Sequence, residues 1–527
     1  MNNSCFKSKY DIVIIGGGLS GLGSALTLAP KSKDILVLEQ HNLLGGVASS
    51  FVRDGIEYET ALHEMMSIGS EEEPLSVGKF LKNAGIDIKF IRVPEAYRLV
   101  TDDIDIVVHA GENGNYEIPS REIAEYCCKG DEKSIDDLYN KILAFFKLCK
   151  SIYDAIGEND DSKFKKMSNY MNLIGTAGYS SYDVLKSFGL PEKAIDILSA
   201  YWMYLGNVTT DLPFSVFAIL MADYFGYGSH IPSYTSHELS LKMAEKAIEK
   251  GVQIECNQRV DKILVENSKV KGVRLSDGTE IACDYVISGA YPNKVYTSMI
   301  EPREEIKPNM IKFVNAREMG CTCFSVIMLL DKDYHELGIT NYATFYSPNG
   351  MNMEKILHEA KNDVPWNYLT IVCNNIANPN ASPEGTCMLS ITNLPFPEAF
   401  KDLTPENYEE MKKKHALHFI ELESKRLGVN LLDHIQEITI LTPVSISHFV
   451  GAWNGGIYGF RHSMDDHVVA RIDMKKKEQY ISGLYFNGAH QTSGDGIATV
   501  INTGRSVAVE VLLDLVQKRR AARKNGN

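Results

Sequence analysis

Residues 11–29 read DIVIIGGGLSGLGSALTLA, and three glycines in them, at positions 16, 18 and 21, stand in the spacing G-x-G-x-x-G. Gly16 permits a tight turn out of the β-branched run before it. Gly18 leaves room for a pyrophosphate to reach the backbone, and Gly21 lets the following helix pack close to the strand. The first N–H groups of that helix, at Leu19, Ser20 and Gly21, point with its positive dipole end at the phosphates. Glu39 ends the next apolar strand, 34–38. It stands about 20 residues past the last glycine, where a carboxylate takes the hydroxyls of an adenosine ribose. This chemistry is dinucleotide binding. A second glycine pair, Gly45-Gly46, follows Gln40 closely and precedes Val47. It suits a longer cofactor, extended across the domain so that the backbone must approach it twice.

These motifs, with the run Gly55-Ile56-Glu57-Tyr58-Glu59-Thr60-Ala61-Leu62-His63-Glu64, resemble flavoproteins of the phytoene desaturase, carotenoid isomerase and retinol saturase group. That group is related more distantly to amine oxidases. The resemblance runs nearly end to end. Val260-Asp261-Lys262-Ile263, Gly272-Val273, Asp277-Gly278 and Asp284-Tyr285-Val286-Ile287-Ser288-Gly289-Ala290 look like its middle segment, in which the counterpart of Val260 meets the adenine through its backbone. Gly483-Leu484-Tyr485-Phe486-Asn487-Gly488-Ala489 and Gly494-Asp495-Gly496-Ile497 look like its C-terminal flavin segment. The resemblance implies one bound FAD. The residues it implies for the cofactor are Gly16, Gly18, Leu19, Ser20, Gly21, Glu39, Gln40, Gly45, Gly46, Val47, Leu62, Val260, Ala290, Gly488, Ala489, Asp495, Gly496 and Ile497. Three positions depart from the family pattern. Val47 replaces the usual Arg, Ile231-Pro232-Ser233-Tyr234-Thr235-Ser236-His237 lacks a glycine pair, and His490-Gln491-Thr492-Ser493 is bulkier and more polar than a carotenoid desaturase needs.

The C-terminal segment has physics of its own. Gly494-Asp495-Gly496 opens the final helix, whose first N–H groups can face a ring carbonyl and stabilise an anionic reduced flavin. Asp495 either contacts the cofactor or caps the helix. His63 and His490 fall in segments that flank the flavin, where a histidine can move a proton beside a hydride transfer. For either one alone, a satisfied structural histidine is the plainer reading. The run Gly451-Ala452-Trp453-Asn454-Gly455-Gly456-Ile457-Tyr458-Gly459-Phe460 resembles a flavin-side loop of carotenoid-isomerase-like members. Trp453 and Tyr458 are expected to wall a channel for a long apolar substrate, although core packing accounts for the aromatics almost as well. Arg461-His462 follows, as a contact for an acidic head group or as surface charge. No metal-ligand set and no second nucleotide cradle is visible.

Stepping outward to the elements, the expected fold is α/β: a split Rossmann-type FAD-binding domain with an inserted α+β substrate domain. The FAD-binding parts are placed at 1–70, 236–300 and 451–527. The substrate domain takes 71–235, expected to be mostly helical, and 301–450. Within 71–235, Ser134 is expected to cap a helix with Ile135, Leu138, Ile142, Phe145, Cys149 and Ile152 on one face. In the middle segment a helix begins at Leu239. Strands 262–266 and 272–275 follow, and the turn Asp277-Gly278 leads to two further short strands, 280–282 and 285–287. In the second substrate part, strands are expected at 322–330, 368–373 and 387–392, with a helix from Thr404-Pro405 to Gly428.

At 527 residues with a net charge of −14, the chain is not a general nucleic-acid binder. Its ten cysteines form no C-x-x-C pair and read as reduced thiols of a cytoplasmic protein. No secretory signal is visible, and the apolar run 212–222 is too short to cross a bilayer. The final helix ends in Lys518-Arg519-Arg520 and Arg523-Lys524. Cations favoured by a helix C-terminal dipole are the first reading, and peripheral contact with anionic lipid the second. The apolar run 213–221 is weighed in the same way, as a core helix first and a membrane-resting channel mouth second. The sequence sets no oligomeric state.

The leading function is that of an FAD-dependent oxidoreductase acting on C–C or C=C bonds of a small lipophilic substrate: a polyene, isoprenoid or fatty-acyl-like molecule. Desaturation, saturation and double-bond isomerisation all belong to this reading. An amine oxidase-like flavoenzyme is the enzymatic alternative. An isoprenoid-binding chaperone is the non-enzymatic one, and the full set of Gly16, Glu39, Gly46 and Gly488 speaks against it.

Overall fold

The computed structural model describes residues 6–32, 34–60, 62–156, 163–491 and 494–525. The centre of an eight-stranded sheet is Lys9–Ile15, whose Ile12, Val13 and Ile14 are fully buried. A strand apolar on both faces belongs inside a parallel sheet covered by helices. Ile35–Leu38 lies parallel on one side of it, with Gln253–Glu255 beyond. Glu280–Ser288 lies parallel on the other side.

This last element corrects the expectation of two short strands. Residues 280–288 form one continuous strand with two partners along its far edge. Its first half pairs antiparallel with Lys269–Leu275, and its second half pairs parallel with Leu484–Phe486. Val260–Glu266 and Ile300–Glu301 complete the order.

Helices Leu19–Leu28, Ser236–Glu249 and Ile497–Asn525 share one core with a face of this sheet. The first and last approach backbone to backbone. A Cβ on Gly504 would strike the carbonyl oxygen of Ser20, and the Ser24 hydroxyl donates to the Gly504 carbonyl at 2.8 Å.

The second sheet has seven strands, in the order Ile435–Leu441, Phe324–Leu330, Cys387–Asn393, Leu369–Cys373, Ala343–Ser347, Tyr97–Thr101 and Asp105–Val108. Adjacent residues on it serve opposite layers. Phe345 joins a core shared with helices Ile135–Ile156 and Phe214–Tyr227, whereas Tyr346 joins the core beneath Tyr408–Leu427.

Several local expectations change here. Residues 71–235 also supply two strands to this sheet. Two others, Ala343–Ser347 and Ile435–Leu441, carry no sequence signal named above, and the helix expected from Thr404 begins at Tyr408. Ser134 is no cap. It lies in a 3-10 turn, Glu132–Ser134, and its hydroxyl donates to Asp131 at 2.6 Å. The apolar run 213–221 is not a channel mouth on the surface, because helix Phe214–Tyr227 is buried at nearly every position. Among the described residues no helix is long and apolar enough to cross a membrane. The described cysteines are free thiols, and Cys5 lies outside the described residues.

Candidate active site

Four strands of the first sheet end on one cavity of ≈ 320 Å³, each delivering its next residue to the wall: Gly16, Glu39, Gly289 and Asn487. Ligands of open α/β sheets sit beyond the carboxyl ends of the strands for this reason.

The glycines build the first wall. Gly16 holds φ +103, a region L side chains rarely adopt, and its N–H donates to the Leu38 carbonyl at 2.8 Å. A Cβ on Gly21 would collide with the Gly16 carbonyl, so the helix can start this close to the turn only with glycine there. The second pair docks on the first. Gly45 N–H donates to Gly17 carbonyl at 2.9 Å, and Gly18 bridges Gly45 in parallel fashion. A Cβ on Gly18 would stand 3.7 Å from the Gly45 carbonyl and narrow the cleft between the pairs. Glu39 is held from both sides. Oε2 accepts from Gly17 N–H at 2.7 Å and Oε1 from His41 N–H at 2.8 Å. Each carboxylate oxygen keeps a further lone pair for a ribose hydroxyl.

The hairpin Ser50–Arg53 with Ile56–Glu59 turns the chain back, and Thr60 pins it by donating to the Ser49 carbonyl at 2.6 Å. Leu62, His63 and Glu64 thereby reach the cavity. Burial lowers the His63 imidazole to about 4 and raises the Glu64 carboxyl to about 8. Both are therefore neutral near pH 7.

The third wall is C-terminal. Gly488, at φ +101, donates its N–H to the Ser20 hydroxyl at 3.0 Å. His490 lies 5.0 Å from Tyr291, ring to ring, and its Nε2 is buried without a partner among the described atoms. Burial, with Arg317 and Arg471 adding to it, lowers His490 to about 3. Burial raises Asp495 to about 7. The final helix starts at Ile497, with Val500 N–H bonded back to the Gly496 carbonyl. Asp495 is thus not the capping residue, and it lines the cavity together with Gly496 and Ile497.

Most of the expected residues meet here. Gly16, Gly18, Leu19, Ser20, Gly21, Glu39, Gly45, Gly46, Val47, Leu62, Gly488, Ala489, Asp495, Gly496 and Ile497 all line this cavity, as do His63, His490 and Tyr458. Gln40, Val260, Ala290 and Trp453 do not. Gln40 is exposed and packs on Gly451; Val260 is buried in its strand; the Ala290 N–H bonds to Ser288 Oγ. Trp453 occupies a 3-10 turn whose neighbours Ala452 and Gly456 face the cavity instead. Arg461 is not surface charge but is buried between Asp211, at 2.6 Å, and Glu318, at 2.8 Å. Thr492 and Ser493 lie outside the described residues.

Sequence reading missed Glu64, Tyr204, Tyr224 and Tyr291. Glu64 adjoins His63 and was within reach of it. Tyr291 directly follows the middle-segment motif that ends at Ala290, whereas Tyr204 and Tyr224 come from a helical block with no motif around them.

The donor set fits FAD. Two glycine pairs open a path for an extended pyrophosphate, Glu39 stands at the ribose end, and a helix N-terminus with an orphaned His490 nitrogen stands at the other.

A family model described as flavin containing amine oxidoreductase matches residues 19–512. The 4,4'-diaponeurosporene oxygenase of Staphylococcus haemolyticus is 22% identical over 96% of this chain and 97% of its own. The all-trans-retinol 13,14-reductase of Danio rerio is 22% identical over 91% and 82%. The chloroplastic prolycopene isomerase of Daucus carota is 22% identical over 96% and 80%. Among solved structures, an oxidoreductase from Methanosarcina mazei superposes with a TM-score of 0.59 at 16% identity, over 94% of this chain and 99% of its own, a likeness of fold.

Proposed function

The chain belongs to the flavin containing amine oxidoreductase family and is an FAD-dependent oxidoreductase; from that premise we propose that it acts on a carbon–carbon double or single bond of a lipophilic polyene or isoprenoid. The observation that carries this reading is the character of the cavity wall contributed from outside the glycine loops. Leu62, Ile457, Tyr204, Tyr224, Tyr291 and Tyr458 line it; His63, His490 and Glu64 are held neutral near pH 7, and burial keeps Asp495 protonated up to about pH 7. Such a wall suits a long molecule without charge. The printed names of the relatives, an oxygenase, a reductase and an isomerase of polyenes, support the same substrate class.

Bound FAD supplies the atom that accepts or gives hydride. The chain's residues do the rest. The N–H groups at Leu19 and Ser20 face the phosphates, Glu39 holds the ribose, and the N-terminus of the final helix stabilises negative charge on the ring. Leu62 and Ile457 exclude water from the reacting carbons. The test has two stages. Purified protein should show a flavin visible spectrum. Reduced anaerobically and mixed with a conjugated polyene, it should then change the polyene absorption band. Unchanged polyenes alongside oxidised amines would move the reading to amine oxidation.

We also propose cytoplasmic placement, which the free thiols suit, with peripheral contact to an anionic lipid surface. The support is helix Lys163–Thr176, where Met167, Tyr170, Met171 and Ile174 recur at helical spacing and are 49–68% exposed. An exposed apolar face at helical spacing is the pattern of an interfacial helix. Wild type should co-sediment with anionic vesicles, and a Met167→Ser, Met171→Ser, Ile174→Ser variant should stay in solution. Equal binding by both would remove this contact.

A further inference from the structure

Glu64 stands in the cavity wall outside the glycine loops. It is a carboxyl group among rings. Ser229 Oγ donates to its Oε2 at 2.8 Å and Tyr204 to its Oε1 at 3.3 Å, while the Tyr224 hydroxyl bonds the Glu64 backbone carbonyl at 3.3 Å. Its residue surface is 8% exposed. The ionisable groups about it are Glu95, Tyr201, Tyr204, Tyr224, Tyr342 and the adjacent His63, and no lysine or arginine is among them. A structural carboxylate in an interior is normally paired with a cation, because leaving a charge unpaired there costs several kcal/mol. Among the described residues this one has no cation partner, and it lines the cavity proposed to hold the substrate.

We propose that Glu64 is the catalytic acid of this enzyme, delivering a proton to one carbon of the substrate C=C bond while hydride reaches the other. This step rests on the polyene reading above. In it the carboxyl O–H bond breaks and a C–H bond forms. The second C–H bond takes its electron pair from reduced flavin, which is oxidised as the double bond is reduced to a single bond. The resulting Glu64 carboxylate regains its proton from water. Ser229 and Tyr204 both donate to the carboxylate, so they stabilise the form left after the proton has gone. His63 and His490 serve poorly as proton donors near pH 7, because their burial keeps them unprotonated. Glu64 retains its proton up to about pH 8.

The test uses the FAD-loaded full chain, reduced with dithionite, and a conjugated polyene followed by its absorption. Glu64→Gln keeps the size, and its amide oxygen can accept from one of the Ser229 and Tyr204 hydroxyls while its NH2 donates to the other. It should keep the flavin spectrum and lose roughly 10²–10⁴-fold in the rate of polyene reduction. A readout independent of turnover is the infrared difference spectrum against pH. Wild type should show a protonated-carboxyl band that titrates near pH 8, and Glu64→Gln should lack it. Wild-type turnover should fall above the same pH. A Glu64→Gln variant at the wild-type rate, or a wild-type rate flat through pH 9, overturns the assignment to Glu64 alone. A flavin-loaded wild type inert to every polyene overturns the functional reading itself, and this step with it.

Discussion

Glu39 accepts two backbone N–H groups at the mouth of the glycine turn, so a substitution there changes the turn as well as the proposed ribose contact. Glu39→Ala leaves both donors unpaired, at a cost of about 1–3 kcal/mol when buried. Gly16→Val forces a β-branched side chain to φ +103. Both variants should purify with less bound flavin, read as the ratio of visible to ultraviolet absorbance. Full occupancy in both would remove this turn from cofactor binding. Asp495 acts at the same scale on stability. In the folded chain its carboxyl keeps its proton to about pH 7, whereas the unfolded chain releases it near 3.8, and Arg471 opposes this shift. The folded state therefore binds more protons across that window. Its contribution is full below about pH 3.8 and is lost as pH rises towards 7. Asp495→Asn, measured with FAD present, should raise Tm at pH 8 and leave it unchanged at pH 3.5. A gain that is equal at both pH values would contradict the assignment.

At the scale of elements, the contact between Leu19–Leu28 and Ile497–Asn525 sets the distance between the two ends of the cofactor site. In the proposed mode of binding, one helix would present its N-terminus to the phosphates and the other its own to the ring. Gly504 lets them touch, with a Cβ there directed at the Ser20 carbonyl, and Ser20 in turn accepts the Gly488 N–H. Gly504→Val should cost about 1–3 kcal/mol by overpacking. It should also weaken flavin retention, although residue 504 does not line the cavity. Thermal unfolding and flavin release, measured together, check this. A destabilised variant with unchanged flavin affinity would mean that the helix contact supports the fold alone.

At the scale of the whole molecule, the cavity is assembled from the strand ends of the first sheet, the helical block that carries Tyr204 and Tyr224, and the loop that carries Ile457 and Tyr458. Arg471 joins two of the loops near it, 456–467 and the one that carries Gln491. It donates to the carbonyls of Phe460, at 2.7 Å, and Gln491, at 3.2 Å, contacts His462 Nε2 at 3.1 Å, and pairs with Asp466 at 3.2 Å. Burial lowers it to about 10, still far above neutrality. A cofactor bound across these pieces stabilises the folded state by about 2.7 kcal/mol at a hundredfold excess over its Kd. Removing FAD should therefore lower Tm, and adding it back should restore Tm in a concentration-dependent way. A Tm indifferent to FAD would show that the pieces are held together without it.

The sequence alone carried the dinucleotide turn, the FAD, the α/β class and most of the glycine-lined wall. Those features are local. A glycine at φ +103, or one at a helix contact, is demanded by the backbone within a few residues, so its spacing is written in order along the chain. The tertiary structure decided what lies opposite. Tyr204 and Tyr224 reach the cavity from a helical block whose apolar residues look alike whether they pack on one another or face a ligand. The run 213–221 read first as a core helix and second as a surface mouth, and the surrounding helices that bury it decided for the core. Trp453 and Tyr458 stand five residues apart in one loop, and a single turn sends one to the cavity and the other away from it. Glu64 needed the fold most of all. Nothing in its neighbours along the chain marks it as an uncharged acid. That property comes from burial among Tyr204, Tyr224 and Ser229, which lie far away in sequence, and burial is a property of the assembled volume.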